Sequence, residues 1–369
     1  MHWMDEELAD RKEQGLLRVR PSLESAQGIH VRCAGRHYLN FASNDYLNLA
    51  ADPRVIGAAA RTAKRYGCGA GASPLVAGCL RPHRLLERDL ARWEGTEAAL
   101  VFSSGFAANL AAITALVSAE DAVFSDALNH ASLIDGCRLS RARVHIYQHA
   151  DANHLEDLLR RHGGSARRRL IVTDTVFSME GELAPVADLV ELSRRFDCFL
   201  LLDEAHATGV LGDRGRGVTE LLPARTQLNP DMTIKVGTLS KALGSQGGFV
   251  CGSHALIKWL VNHARPYIFS TALAPPAAGA ARAALAIVEA EPEQRLRLRQ
   301  LAAFFRDQLR ALGLEASRSQ SQIVPIVVGA AQTASRFAER LRREGLLVPA
   351  IRPPSVPQGS ARLRVSLTA

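Results

Sequence analysis

Seven short apolar runs dominate the middle of the chain: Ala98–Phe102, Ala122–Ser125, Val144–Tyr147, Arg169–Thr173, Phe199–Asp203, Met232–Val236 and Gly248–Cys251, mostly separated by helical segments. A strand that is apolar along its whole length has to be covered on both faces. Runs of this kind alternating with helices therefore predict an α/β fold with a mainly parallel sheet. Ligands of such sheets sit beyond the carboxyl ends of the strands, so the residues that close these runs are the first place to look for chemistry.

The flanks read differently. Residues 1–20 predict a helix, and Gly28 to Phe41 predict two short strands with a turn at Gly35. After about residue 275, Pro275-Pro276 opens long Ala/Leu/Arg helices to about Leu312. Strands at Gln322–Val328, Leu346–Ile351 and Ala361–Leu367 then alternate with another helix, which predicts a small α+β domain. The expected organisation is an N-terminal segment 1–45, a large α/β domain 46–275 and a small C-terminal α+β domain 276–369.

With 369 residues, of which 47% are hydrophobic and 22% charged, the chain can bury a sizeable core. Its six cysteines show neither a paired C-x-x-C spacing nor a His/Cys metal spacing, so no metal site and a reducing, cytoplasmic setting are expected. The N-terminus carries acidic residues and no apolar core, which argues against a signal or transit peptide. No apolar run reaches the ~18 residues a membrane span needs. The net charge of +8 could suggest nucleic acid. However, the densest runs, Arg160–Arg169 and Arg295–Arg310, lie in amphipathic helices and read as solvated faces, at most steering a polyanionic substrate such as coenzyme A.

In Lys235-Val-Gly-Thr-Leu-Ser-Lys241-Ala-Leu-Gly-Ser-Gln-Gly-Gly248, Lys241 stands among small residues. A lysine amine in a partly dry pocket loses its proton more easily and can condense with an aldehyde, of which pyridoxal 5'-phosphate (PLP) is the common biological example. PLP also needs a carboxylate at its ring nitrogen, donors for its phosphate and a flat group over the ring. Asp203 closes an apolar run and His206 follows three residues later. Ser103-Ser104-Gly105-Phe106 joins a strand to a helix start, a ready anion site. His130 stands among small residues after another run, and Ser178 follows a third. Taken singly, each has a plainer reading: a solvated loop lysine, a helix cap for Asp203, a hydrogen-bonded core histidine for His206, a simple Ser/Gly cap at Ser104. His145, His149 and His154 read as surface residues.

The order and spacing of Ser43-Asn-Asp-Tyr-Leu47, Ser103–Asn109, Asn129–Ser132, Val176–Met179, Asp203-Glu-Ala-His206, Gly237–Gly244, Phe269-Ser-Thr271 and Ile351–Pro357 resemble the α-oxoamine synthases, a family of fold-type I PLP enzymes, over nearly the whole chain. The resemblance implies that Lys241 carries the cofactor, Asp203 faces its ring nitrogen and His130 stacks on the ring. It implies Ser178 and His206 at the phenolic oxygen, and Ser104, Gly105, Phe106 and Thr238 at the phosphate. Thr271 would reach in from a second subunit, so the resemblance implies a homodimer with a shared site. Arg364 would bind the amino-acid carboxylate, and Asn44 and Arg20 would line the substrate cleft.

The implied catalytic set is Lys241, His130, Asp203 and His206, with no metal. The implied reaction joins L-alanine to pimeloyl-CoA or a pimeloyl carrier protein, with loss of CO2, in biotin synthesis. Sister reactions of the family use glycine with acetyl-CoA, glycine with succinyl-CoA, or serine with a long acyl-CoA, and an aminotransferase on the same fold is a further alternative. The chain departs from the family pattern at Asn48, where glycine is frequent, and at Pro74, both near the acyl-donor entrance. Relatives also usually carry one more helix past the position of Ala369.

Overall fold

The computed structural model describes residues 2–314 and 318–369, in two compact units. One comprises Asp52–Phe177 and Leu183–Arg295. The other comprises Met1–Ala51, Ser178–Glu182 and Leu296–Ala369. These packing boundaries fall at 51/52 and 295/296, against the expected 45/46 and 275/276. The helix Pro275–Ala290 packs with the larger unit, where its glycine Gly279 approaches Thr62 so closely that an added Cβ would lie 2.1 Å from the threonine hydroxyl.

The larger unit holds a seven-stranded sheet. In chain order its strands are β1 (Ala98–Phe102), β2 (Ala122–Asp126), β3 (Arg143–Tyr147), β4 (Arg169–Asp174), β5 (Phe199–Asp203), β6 (Thr233–Thr238) and β7 (Gly248–Gly252). Their spatial order is β1-β7-β6-β5-β4-β2-β3. All neighbours pair parallel except β7, which runs antiparallel to both β1 and β6. Each matches an apolar run of the sequence. β2, β6 and β7 are buried at every position and β4 and β5 at all but the first, as strands covered on both faces must be. Helix α1 (Gly105–Leu116) follows β1 directly and α2 (Ala131–Ser140) follows β2. Ile113 of α1 fits against Gly136 of α2, where a Cβ would come within 2.9 Å.

In the other unit, the N-terminal helix spans His2–Glu13 and ends earlier than residue 20. Gly15 takes a left-handed φ of 69°, a conformation that stops a helix at little cost for glycine. The hairpin His30–Cys33 and Arg36–Asn40 forms as expected. The expected strand Leu346–Ile351 is two strands. Leu346–Leu347 pairs with Leu39–Asn40, and Ala350–Ile351 pairs with Ala361–Ser366 in a second sheet, with Pro349 between them unable to donate to either ladder. Asn48 adopts φ 55°, the left-handed region that glycine enters freely and asparagine tolerates, which accounts for the asparagine at this position.

The expectation that the Arg295–Arg310 run is a solvated face fails at its first residue. Arg295 is buried, its guanidinium donating to the carbonyl oxygens of Val288 and of Asp213 (2.6 Å). There it satisfies a carbonyl in the last turn of the preceding helix, a use of arginine that an amphipathic pattern does not reveal. The three surface histidines are also partly covered. His145 stacks between Phe124 and His162, His149 lies 3.0 Å from the Asp126 carboxylate and edge-on to Phe177, and His154 accepts from the Gln148 N–H. All six cysteines are free, and among the described residues no cluster of three or more His, Cys, Asp or Glu could hold a metal. No described helix is long and apolar enough to cross a membrane.

Candidate active site

Five strand ends of the larger unit bring the polar residues together. Asp203 ends β5 and is 4% exposed. Its Oδ2 accepts from Asn109 Nδ2 at 2.6 Å, and its Oδ1 from the Ala205 N–H at 2.9 Å. Asn109 stands four residues past Gly105, one turn into α1, so helix geometry brings it over the strand end. The same Nδ2 reaches Ser132 Oγ at 2.9 Å, and Ser132 Oγ meets His130 Nδ1 at 2.8 Å. A continuous hydrogen-bonded line therefore runs from Asp203 through Asn109 and Ser132 to His130.

His130 caps α2, its Nδ1 accepting from the Ser132 N–H. Its backbone N–H donates to Asp174 Oδ2 at 2.7 Å. Asn129 fixes the approach: its Nδ2 donates to Ser125 Oγ and the Val172 carbonyl, and its Oδ1 accepts from the Asp174 N–H. Phe106, 43% exposed at the start of α1, stands edge-on to the His130 ring with centroids 6.4 Å apart. Burial holds the His130 imidazole below its ordinary pKa. The Asp203 charge works against that shift and Lys241 with it, so both groups lie within electrostatic reach of the ring. Asp174 is the register partner of Asp203 across the β4–β5 ladder. Burial, and then the Asp203 charge beside it, push its carboxyl well above the usual range.

The start of α1 forms an anion cradle. Ser104 is its N-cap, with Oγ accepting from the Ala107 N–H at 3.1 Å. The Gly105 and Phe106 N–H groups come first in the helix and have no carbonyl a turn back to bond, so they remain for a ligand. Two glycines keep this place open. A Cβ on Gly248 would fall 2.5 Å from Gly105 N, and one on Gly105 would press 3.4 Å against Thr238. Thr238, closing β6, is held by Ser240 Oγ (2.8 Å) and by the Gly247 carbonyl (3.0 Å).

Lys241 follows in a tight turn secured by Gly244 N–H to Lys241 O, Ser245 N–H to Leu239 O and Leu239 N–H to Gly247 O. His206 is buried two residues beyond Glu204, whose carboxylate accepts from Thr175 Oγ1, Val218 N–H and Thr219 N–H. Thr271 is exposed, and its neighbour Ala272 donates its N–H to the Ala72 carbonyl.

The remaining expected residues lie in the other unit. Arg364, buried in the strand Ala361–Ser366, donates to the Ser178 carbonyl (2.6 Å), Asn44 Oδ1 (3.2 Å) and Ser366 Oγ (2.6 Å). Buried Tyr46 donates its hydroxyl to the same Asn44 oxygen. Arg20 belongs to neither hydrogen-bonded set. It lines a separate pocket of about 720 Å³ with Asn40, Ser43 and Arg352. The sequence does not mark Asn109 or Asp174 as functional residues, although Asn109 closes the Ser103–Asn109 motif and Asp174 directly follows an apolar run. Their significance rests on contacts across 94 and 44 residues of chain that spacing does not disclose.

The donor set fits PLP: a buried carboxylate, an imidazole beside it, a helix start cleared by glycines and a lysine turn. The aminotransferase class I and II family profile matches residues 36–369. An 8-amino-7-oxononanoate synthase from Anaeromyxobacter dehalogenans is 49% identical over 100% of this chain and 91% of its own length. A solved serine palmitoyltransferase variant from S. paucimobilis, with PLP and myriocin bound, superposes with a TM-score of 0.92 at 29% identity, covering 99% of this chain and 92% of that one. A solved 8-amino-7-oxononanoate synthase from Francisella tularensis superposes with a TM-score of 0.76 at 32% identity, covering 90% and 92%.

Proposed function

Because the chain belongs to the aminotransferase class I and II family and is a PLP-dependent enzyme of fold-type I, we propose that it condenses L-alanine with a pimeloyl thioester, on coenzyme A or a carrier protein, to give 8-amino-7-oxononanoate, CO2 and the free thiol. The observation that carries this choice among the sister reactions is the 49% identity, over the full chain, to a relative bearing that activity in its name. We further propose that the enzyme works in the cytoplasm as a homodimer whose subunits share the site.

When bound, PLP supplies an electron sink that stabilises a carbanion at the amino-acid Cα. Each remaining part of the chemistry falls to a residue. Lys241 would hold the cofactor through its amine, and the same amine, once free, would take the Cα proton. Asp203 keeps a proton at the ring nitrogen. Buried in low dielectric and oriented by Asn109, it serves as a fixed charge for that proton. Ser104, Gly105, Phe106 and Thr238 hold the phosphate, joined by the partner subunit's Thr271. Ser178 and His206 hold the phenolic oxygen.

His130, kept neutral by burial, would lie against the cofactor ring and polarise the thioester carbonyl by donating a ring N–H hydrogen bond to its oxygen as the Cα carbanion attacks. The C–S bond breaks, the thiolate leaves as the thiol, and the carboxylate of the resulting β-keto acid departs as CO2. Arg364 would grip the alanine carboxylate beside Asn44, whereas Arg20, expected in the same cleft, lines a separate pocket. A guanidinium is suited to that grip because it presents paired donors to a carboxylate.

The test is free-thiol release by the PLP-loaded protein with L-alanine plus pimeloyl-CoA and, separately, with glycine plus acetyl-CoA. Fast release with the alanine pair alone is expected. Release with the glycine pair alone would move the protein to a sister reaction, and amino-group transfer to pyruvate without thiol release would make it an aminotransferase.

A further inference from the structure

The larger unit carries a basic groove away from the residues described so far. Its floor is Ala58 and Thr62 of the helix Pro53–Tyr66 with Gly279 and Ala283 of the helix Pro275–Ala290, and its banks are Arg61, Arg65, Arg81 and Arg282, enclosing about 510 Å³. The helix Pro53–Tyr66 contains four basic residues and no acidic one. The helix that follows, Arg81–Glu94, turns its acids inward: Glu87, Asp89 and Glu94 are buried, whereas Arg81, Arg84 and Arg88 are exposed. Arg84, Arg88 and Arg282 have carboxylate partners in Glu87 and Asp89. Arg61, Lys64, Arg65 and Arg81 have none within ion-pair distance among the described residues.

We propose that this groove docks an acidic helical protein that delivers the acyl thioester, so that the carrier-borne donor is the one the surface is built for. This rests on the reaction proposed above. The floor cannot deepen, because Gly279 and Thr62 already touch, and a shallow trough with cations on both banks matches a row of carboxylates on a helix. It does not enclose a nucleotide. The one aromatic ring at its edge, Tyr66, already lies under the Arg65 guanidinium at 5.4 Å.

Both groove helices connect to the reaction site. Ser245, in the Lys241 turn, donates its hydroxyl to the Ala277 carbonyl, two residues before Gly279. Tyr66 leads into the loop whose Ala72 carbonyl accepts from Ala272, beside Thr271. A carrier seated here rests on helices that these bonds tie to the Lys241 turn and, through the loop after Tyr66, to the Thr271 segment.

The experiment compares kcat/KM for pimeloyl groups borne by an acyl carrier protein, by coenzyme A and by pantetheine, in the wild type and in Arg61→Glu/Arg65→Glu. Charge reversal is expected to lower the carrier value ~10-fold or more while leaving the other two unchanged, with Arg61→Lys/Arg65→Lys close to wild type and the wild-type carrier value falling with added salt. An unchanged carrier value overturns the proposal. So does a parallel loss on carrier and coenzyme A with pantetheine spared, which would assign the groove to nucleotide phosphates. Fluorescence anisotropy of the labelled carrier reads docking even if no thioester turns over, so failure of the reaction and failure of the docking surface are separately visible.

Discussion

The same strand ends carry two buried charge clusters, one on each face of the sheet. Asp203 pairs across the ladder with Val236, and Leu202 with Lys235, so by the alternation of side chains Asp203 and Lys235 point to opposite faces. On the Asp203 face, two buried aspartates stand side by side, and the groups bonded to them are an amide and backbone N–H donors rather than cations. On the other face, Lys235 forms an ion pair with Glu94 and donates to the Arg216 carbonyl, and Glu204 closes its own bonds nearby. Burial opposes the Lys235 charge, but Glu94 and Glu204 outweigh it and hold the ammonium above its ordinary pKa. One face pairs its lysine with Glu94 and satisfies Glu204 with backbone N–H donors, and it holds the structure. On the Asp203 face Lys241 is a cation that acts on the buried Asp174 and on His130, and in the proposed reaction a cationic ring nitrogen would be added beside Asp203. Burial of charge does not identify a functional site by itself.

Lys241→Ala attacks the Asp203 face most severely. Turnover with alanine and pimeloyl-CoA should fall by ~10³–10⁴-fold while thermal stability of the apoprotein stays near wild type. Lys235→Ala should do the reverse, costing about 3–5 kcal/mol of unfolding free energy by stranding Glu94, with little change in kcat per folded molecule. Replacing both partners by apolar residues, Lys235→Met with Glu94→Leu, should restore most of that loss in a denaturant titration.

Asp203→Asn should lower kcat by ~10²–10³-fold, since a neutral amide cannot hold the ring proton by charge. Asn109→Ala should follow at about 1.5–3 kcal/mol of barrier, the worth of a hydrogen bond to a charged group, read from kcat/KM.

The smallest effect is in pH dependence. His130 titrates below its ordinary value of 6.5 in the folded protein, so the unfolded chain binds more protons as pH falls. Its contribution to stability is present above that value and is lost as pH drops through it toward the folded pKa. Tm should decline between pH 7 and 5 more steeply in the wild type than in His130→Gln. His83, also lowered by burial, contributes the same sign to both proteins. Equal slopes would mean that His130 is not held neutral.

The sheet was legible because its strands are short, apolar and bounded by turn residues; all seven fall within a few residues of their expected ends. The motif residues were legible one by one, at strand ends and helix starts. Three features were not. Asn109 holding Asp203 depends on a helix crossing a strand end. The grouping of Ser178–Glu182 with the C-terminal residues depends on contacts such as Gln320 N–H to the Gly181 carbonyl, across more than a hundred residues. The burial of Arg295 depends on which side of an amphipathic helix meets its neighbours. In each case the missing information is tertiary, and local pattern carries none of it.

The two faces also suggest the most direct test of the account. The chain has five lysines: Lys12, Lys64, Lys235, Lys241 and Lys258. Borohydride reduction of the PLP-loaded protein, followed by proteolysis and mass spectrometry, reports which of them holds the cofactor. The account predicts a pyridoxyl adduct on Lys241 and none on Lys235. An adduct on Lys235 or on any lysine other than Lys241 would contradict it.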